Sequence, residues 1–300
     1  MKFWVAVTDP DWFQFLESRR VDEANFWQPT DASMPRAIVE GTYFLFKLRK
    51  SNFVAGCGLF VRFLVLPASL AWDAFREKNG TASYVDLVNR LRRLRQDQSA
   101  TDPRIGCNVL ADPIFFSEDQ WIPVPPSWPP NTQRGKTFNT SEEDGRLLWK
   151  EVALRLQNAQ TELQQEVPRY GEPQLVQPRL GQGAFRVLVT DAYHRRCAIS
   201  GERTLPALEA AHIKPYAESG PHQINNGLLL RSDFHRLFDA GYITVTPKLV
   251  VEVSRRIKTE FENGHEYYQH DGQKLAFVPK AENELPSLEF LAWHNERFLG

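Results

Sequence analysis

Residues 209–241, EAAHIKPYAESGPHQINNGLLLRSDFHRLFDAG, constrain the fold more than any other part of this chain. LEAAHI and NGLLL are short apolar runs of strand character, and SDFHRLFDA carries a helical pattern ended by Gly241. The predicted order is strand, long loop, strand, helix, with Ser232 or Asp233 as the helix cap, since either side chain accepts from a free first-turn N–H. Three histidines (His212, His222, His235) and two asparagines (Asn225, Asn226) are set into this apolar frame.

Upstream, FWVAVT, TYFLFKLR, GLFVRFLVL and IGCNVLADPIFF read as strands, rich in aromatic and β-branched residues, and WFQFLESRR as a short helix. SYVDLVNRLRRLR places Val85, Val88, Leu91 and Leu94 at helical spacing, which predicts that stripe as the buried face. Five prolines in WIPVPPSWPPN exclude regular structure there. From Ser141 a long polar helix leads into the irregular PRYGEPQLVQPRLGQG. AFRVLVTDAYHRRC is a further helix candidate, GYITVTP and KLVVEVS a hairpin, and LPSLEFLAWHNERF a closing helix. The expected organisation is a strand-rich domain over 1–150, a helical and irregular linker over 151–178, and a second domain over 179–300, in an α+β chain.

Three hundred residues, 42% of them hydrophobic, are enough for two cores. No apolar run reaches the roughly 18 residues of a membrane span, and MKFWVAVTDPDW lacks the uninterrupted apolar stretch of a signal peptide, so a soluble, cytoplasmic protein with no membrane partner is expected. Cys57, Cys107 and Cys197 lie far apart without a CxxC, which argues for reduced thiols over a disulfide framework. A net charge of −1 gives no global attraction to nucleic acid, so such contact has to come from local basic patches.

Hydrolysis of a phosphodiester needs a base to activate water, a cation to neutralise the phosphate, and groups that hold both. Histidine suits the first two roles, with an ordinary pKa near 6.5 and a neutral ring that ligates metals. The array His212-Ile-x-Pro, a glycine-containing loop, Asn226-Gly-Leu-Leu-Leu and His235 resembles the HNH endonuclease motif, and the similarity runs from about Arg179 to Ser254. The resemblance implies a ββα nuclease domain around one divalent cation (Mg²⁺ or Mn²⁺, with Ni²⁺ or Co²⁺ as alternatives), His212 as general base, Asn226 as the residue that positions the loop, and His235 as a metal ligand. Many HNH proteins carry two CxxC pairs that bind structural zinc. Here only Cys197 remains, with Ser200, Arg231 and Phe234 at the other positions, so no structural zinc is expected. Many also place Asp or His directly before the base, where this chain has Ala211, which leaves the second metal ligand open between Glu209, Asp233 and His222. Asp239 is read as a local cap or ion-pair partner. Seven basic residues against four acidic ones between Arg169 and Pro215 form a modest positive strip, with Arg179, Arg186, Arg195, Arg196 and Lys214 as DNA-contact candidates.

FWVAVTDPDWFQFL, Trp27 and GTYFLFKLRKSNFVAGCGLFVRF resemble EVE and PUA-like domains, β-barrels that cage a flipped, modified base. A reader pocket stacks the base on aromatic rings and bonds its edge with polar groups. Trp4, Trp12 and Trp27 are the candidate walls, and Asp9 and Ser51 the candidate edge readers. Together the two resemblances imply a type IV-like, modification-dependent restriction endonuclease acting on double-stranded DNA with a modified base, such as 5-methylcytosine. A single metal site cuts one strand per visit, so a homodimer is one route to a double-strand break. Two alternatives stay open: a reader or regulator with an inactive nuclease fold, and a sequence-specific HNH enzyme acting on unmodified DNA.

Overall fold

The computed structural model describes residues 1–30, 38–95, 99, 101–163 and 180–300. These form two compact units, Met1–Arg179 and Leu180–Gly300. Among the described residues no helix is long and apolar enough to cross a membrane.

The first unit runs β1 (Lys2–Thr8), α1 (Pro10–Glu17), β2 (Glu23–Gln28), β3 (Tyr43–Leu48), β4 (Phe53–Pro67), α2 (Ala68–Phe75), α3 (Tyr84–Arg95), β5 (Arg104–Phe115), β6 (Ile122–Pro123), β7 (Gly135–Asn139) and α4 (Glu143–Leu163). Its sheet has the order β2-β5-β4-β3-β1-β7, with β6 paired to β4. β1 and β3 are parallel, and the other pairs are antiparallel. Side chains two apart share a face, so β1 sends Phe3 and Val5 into one core and Trp4 and Ala6 into the other. β4 is 15 residues long and slips register against β5 at Cys57/Leu59 and Phe60/Arg62. Such bulges bend a strand and raise its twist, which lets one strand serve both halves of the sheet.

Several expectations are corrected here. The barrel expected of an EVE or PUA-like domain does not close among the described residues, where the strand order is an open path from β2 to β7. In α3 the buried stripe is Leu87, Val88 and Leu91, while Val85 and Leu94 are exposed. Residues 122 and 123 of the proline-rich segment add a two-residue strand to β4, because Pro123 sits where no ladder donor is needed. Residues 151–163 continue α4, whose Leu148, Val152 and Leu156 recur every four residues and bury against Phe3, Tyr43 and Phe138. Residues 164–178 of the expected linker lie outside the described residues.

The second unit runs α5 (Gln182–Ala192), β8 (Leu208–His212), β9 (Gly227–Arg231), α6 (Ser232–Asp239), β10 (Ile243–Val245), β11 (Val251–Val253), α7 (Arg256–Phe261), α8 (His265–Tyr268) and α9 (Leu288–Asn295). β8 and β9 pair antiparallel, with His212 opposite Gly227, and β10 and β11 form a hairpin. One core collects Phe185 and Val189 of α5, Leu228–Leu230 of β9, Phe234 and Phe238 of α6, and Ile243 and Val253 of the hairpin. The α6 cap differs from expectation: Arg231 occupies the cap position with no side-chain cap bond. Asp233 instead accepts two hydrogen bonds from the Arg231 guanidinium (2.7 and 2.8 Å), a bidentate charged pair stronger than a neutral cap.

Candidate functional site

His212 ends β8 and faces a pocket wall made by α5. The Phe185 ring stacks on its imidazole, with centroids 3.8 Å apart and planes 10° from parallel. Gly227, directly opposite in β9, makes that stack possible, because a Cβ there would lie 2.5 Å from Val189 and 3.1 Å from the Phe185 ring. His212 Nε2 and His222 Nδ1 share a hydrogen bond of 2.9 Å, and the exposed Tyr216 ring stacks on His222 at 4.5 Å. Burial pushes the His212 pKa down to about 4, and electrostatic repulsion from the His222 and His235 rings adds to it. The ring is therefore neutral at physiological pH, as a base must be before it takes a proton.

Asn226 is fully buried and clasps the β8–β9 loop from inside. Its Oδ1 accepts from Lys214 N, and its Nδ2 donates to Lys214 O and Pro221 O, all at 2.9 Å. The Ile213 N–H reaches back to Asn226 O at 2.9 Å. Asn226 thus touches both ends of the segment between His212 and His222 and positions the two histidines. Ala211 is fully buried beneath them, opposite Leu228.

His235 lies in the first turn of α6 between two carboxylates. Nδ1 donates to Glu209 Oε2 at 2.7 Å, and Nε2 lies 3.3 Å from Asp239 Oδ2, one helical turn on. In the tautomer with its hydrogen on Nδ1 the Nε2 lone pair faces a carboxylate, an arrangement completed either by a second proton on the ring or by a cation held between the two. Burial raises the Asp239 pKa above the ordinary carboxylate value, with His235 opposing and Glu209 adding. Among the described residues no three His, Cys, Asp or Glu side chains converge to enclose a metal ion. The mixed donor set, one imidazole and one carboxylate, fits a divalent transition-metal cation, whose other positions water and phosphate oxygens would fill. Glu209 on the far nitrogen matches the outer carboxylate that orients a ligating histidine. Asp239, read from the sequence as a local cap or ion-pair partner, is paired with His235 at i, i+4 spacing.

The basic candidates are dispersed. Arg186 lies on α5, Arg195 and Arg196 follow it in a turn, Arg196 sits over Phe277 at 5.4 Å, and Lys214 over Trp293 at 5.8 Å. Arg179 lies outside the described residues. Cys197 is buried, and its sulfur accepts backbone N–H groups from Ser200 (3.4 Å) and Arg231 (3.3 Å).

In the first unit, Trp4, Trp12, Trp27 and Asp9 come together around a cavity of about 250 Å³. Phe26 and Phe44 complete its aromatic wall, and Arg90, Asn108 and Arg134 add polar edges. Trp12 and Trp27 are fixed by indole hydrogen bonds to Asn25 O (3.2 Å) and Asn79 O (2.8 Å). Gly80, at φ 76°, makes room for Trp12, since a Cβ there would fall 2.2 Å from the indole. Asp9 caps α1 by accepting from Asp11 N and pairs with Arg90. Burial opposes ionisation of Asp9, but Arg90 and the cap bonds outweigh it and leave the carboxyl below its ordinary pKa. Ser51 is not part of this cavity; its hydroxyl accepts from Phe53 N in the β3–β4 turn. Asn108 gave no local signal in the sequence, because β5 comes beside β2 only in the folded sheet.

Residues 197–246 match the family model described as HNH endonuclease. A search of curated proteins finds no match. Among solved structures, a "Modification dependent TagI restriction endonuclease" is matched at 14% sequence identity with a TM-score of 0.29. That match covers 90% of this chain and 66% of the other, so the chain spans just under two thirds of that protein's length. The second unit carries an HNH endonuclease domain over residues 197–246, the segment that supplies Glu209, His212, Asn226, His235 and Asp239.

Proposed function

We propose that the protein is a metal-dependent DNA endonuclease whose first unit holds a modified base, a modification-dependent restriction activity. The observation that carries the nuclease reading is the convergence, within one β8–loop–β9–α6 unit, of a neutral His212 with the His235–Asp239 pair. In the productive tautomer His212 donates its Nε2–H to His222, which leaves the Nδ1 lone pair to take a proton from the attacking water. Asn226 and Phe185 hold the ring at the correct angle, and Glu209 fixes the His235 tautomer. A divalent cation held by His235 and Asp239 would neutralise the scissile phosphate and the charge developing on the leaving oxygen. The base-reading part rests on the aromatic cavity of the first unit, with stacking surfaces, polar edges and arginines at hand for flanking phosphates.

The direct test is digestion of phage DNA bearing modified cytosines, beside amplified unmodified DNA, with Mg²⁺ or Mn²⁺. Cutting of the modified DNA only, abolished in His212→Ala and weakened about 10–100-fold at limiting metal in Glu209→Gln, is the expected result. Cutting of unmodified DNA at one sequence would favour a conventional HNH enzyme. The buried Ala211 favours a second reading, a silent nuclease fold that serves a DNA reader, and metal-independent binding without any cutting would support it.

A further inference from the structure

We propose that Asn108 selects the base in the first unit's cavity by accepting a hydrogen bond from an exocyclic amino group, so that the site takes aminopyrimidines or aminopurines and rejects their oxo counterparts. This assignment rests on the base-reader reading above and adds the group that discriminates. Asn108 lies in β5, paired to Phe26 of β2 on one side and Phe63 of β4 on the other, and is 1% exposed. Its Nδ2 donates to Phe26 O at 2.8 Å. A backbone carbonyl only accepts, so this contact fixes the amide with nitrogen toward the strand and oxygen on the other side. That oxygen, Oδ1, is buried and has no partner among the described residues.

Native proteins rarely leave a buried acceptor unpaired, and those that persist call for an explanation. Several of the cavity's other polar groups are engaged. The Trp12 and Trp27 indoles donate to backbone carbonyls, and Asp9 is held by Arg90 and by Asp11 N. Asn108 lines this aromatic cavity and carries an unpartnered acceptor, whose complement is an N–H on the edge of a flat ring. The amino groups of cytosine and adenine supply that donor, whereas thymine, uracil and hypoxanthine present a carbonyl at the same place and would set oxygen against oxygen. A cavity of about 250 Å³ lies just below the range of drug-sized ligand pockets, the scale of a single base.

The test uses the full-length protein with a chelator to prevent cutting, and labelled duplexes that differ at one position. The probes are matched pairs: 5-methylcytosine and thymine, 5-hydroxymethylcytosine and 5-hydroxymethyluracil, N6-methyladenine and hypoxanthine, with unmodified DNA as reference. In at least one pair the amino member should bind about tenfold or more tightly than its oxo partner, the discrimination of a base-edge hydrogen bond. Asn108→Leu should bring that ratio near one. Equal affinity within every pair, with modified DNA still preferred over unmodified, overturns the role of Asn108 and leaves the reader intact; a ratio that survives Asn108→Leu does the same. No preference for any modified probe overturns both. Should Asn108→Leu fail to fold, the wild-type ratios decide, and ratios near one overturn the assignment.

Discussion

The stack of Phe185 on His212 depends on an atom that is missing, the Cβ of Gly227. Its backbone is ordinary for a strand, so the glycine is explained by space. A methyl group placed 2.5 Å from Val189 has to push α5 away from β9, and overpacking of this kind costs about 1–3 kcal/mol. Gly227→Ala is therefore expected to lower stability by that amount in denaturant melts and to slow DNA cleavage by more than the folded fraction accounts for, because the base loses its backing. Cleavage that simply tracks the folded fraction would show that the stack has no part in orienting His212.

At the scale of elements, α9 is fastened to β10 and α6 by a histidine that must stay neutral. His294 is 5% exposed, donates from Nε2 to Phe238 O (3.0 Å) and accepts from the Thr244 hydroxyl at Nδ1 (2.7 Å). Burial holds its pKa down at about 4, despite the contact with the Phe238 carbonyl. The unfolded chain takes up a proton near pH 6.5 and the folded chain only near 4, so stability falls as pH drops through that window and is fully present above it. Thermal melts of the wild type should show the second unit losing stability between pH 7 and pH 5, with a shallower loss in His294→Phe. Equal slopes would assign the acid sensitivity elsewhere.

The same scale shows what the sequence could disclose. Strand–loop–strand–helix order was legible, because each piece is set by local periodicity and by residues such as Gly241 that stop it. His212, Asn226 and His235 stood out as candidates through the resemblance of that unit to the HNH motif, and the structure keeps all three within it. Asp239 was legible as a local ion-pair partner, and its pairing with His235 one turn away is local in sequence. Asn108, the role of His222 and the open path of the first sheet were not legible, since each depends on segments that meet only after folding, such as β5 beside β2 or His222 brought back on to His212.

For the whole molecule, the proposed activity rests on a single HNH match, over residues 197–246, so on that proposal one chain would break one strand per encounter. On supercoiled modified plasmid, nicked circles should accumulate before linear DNA at low enzyme concentration, as read from a gel time course. Linear product without a nicked precursor would mean that two chains act together at each site. Tryptophan offers a further handle on the same question. Of the eight in the chain, Trp293 alone belongs to the second unit, while Trp4, Trp12 and Trp27 line the cavity of the first. Intrinsic emission is thus an almost private optical channel for the first unit: DNA arrival there can be followed in real time with the second unit nearly dark, and the proposed cleavage timed against it on the same unlabelled protein.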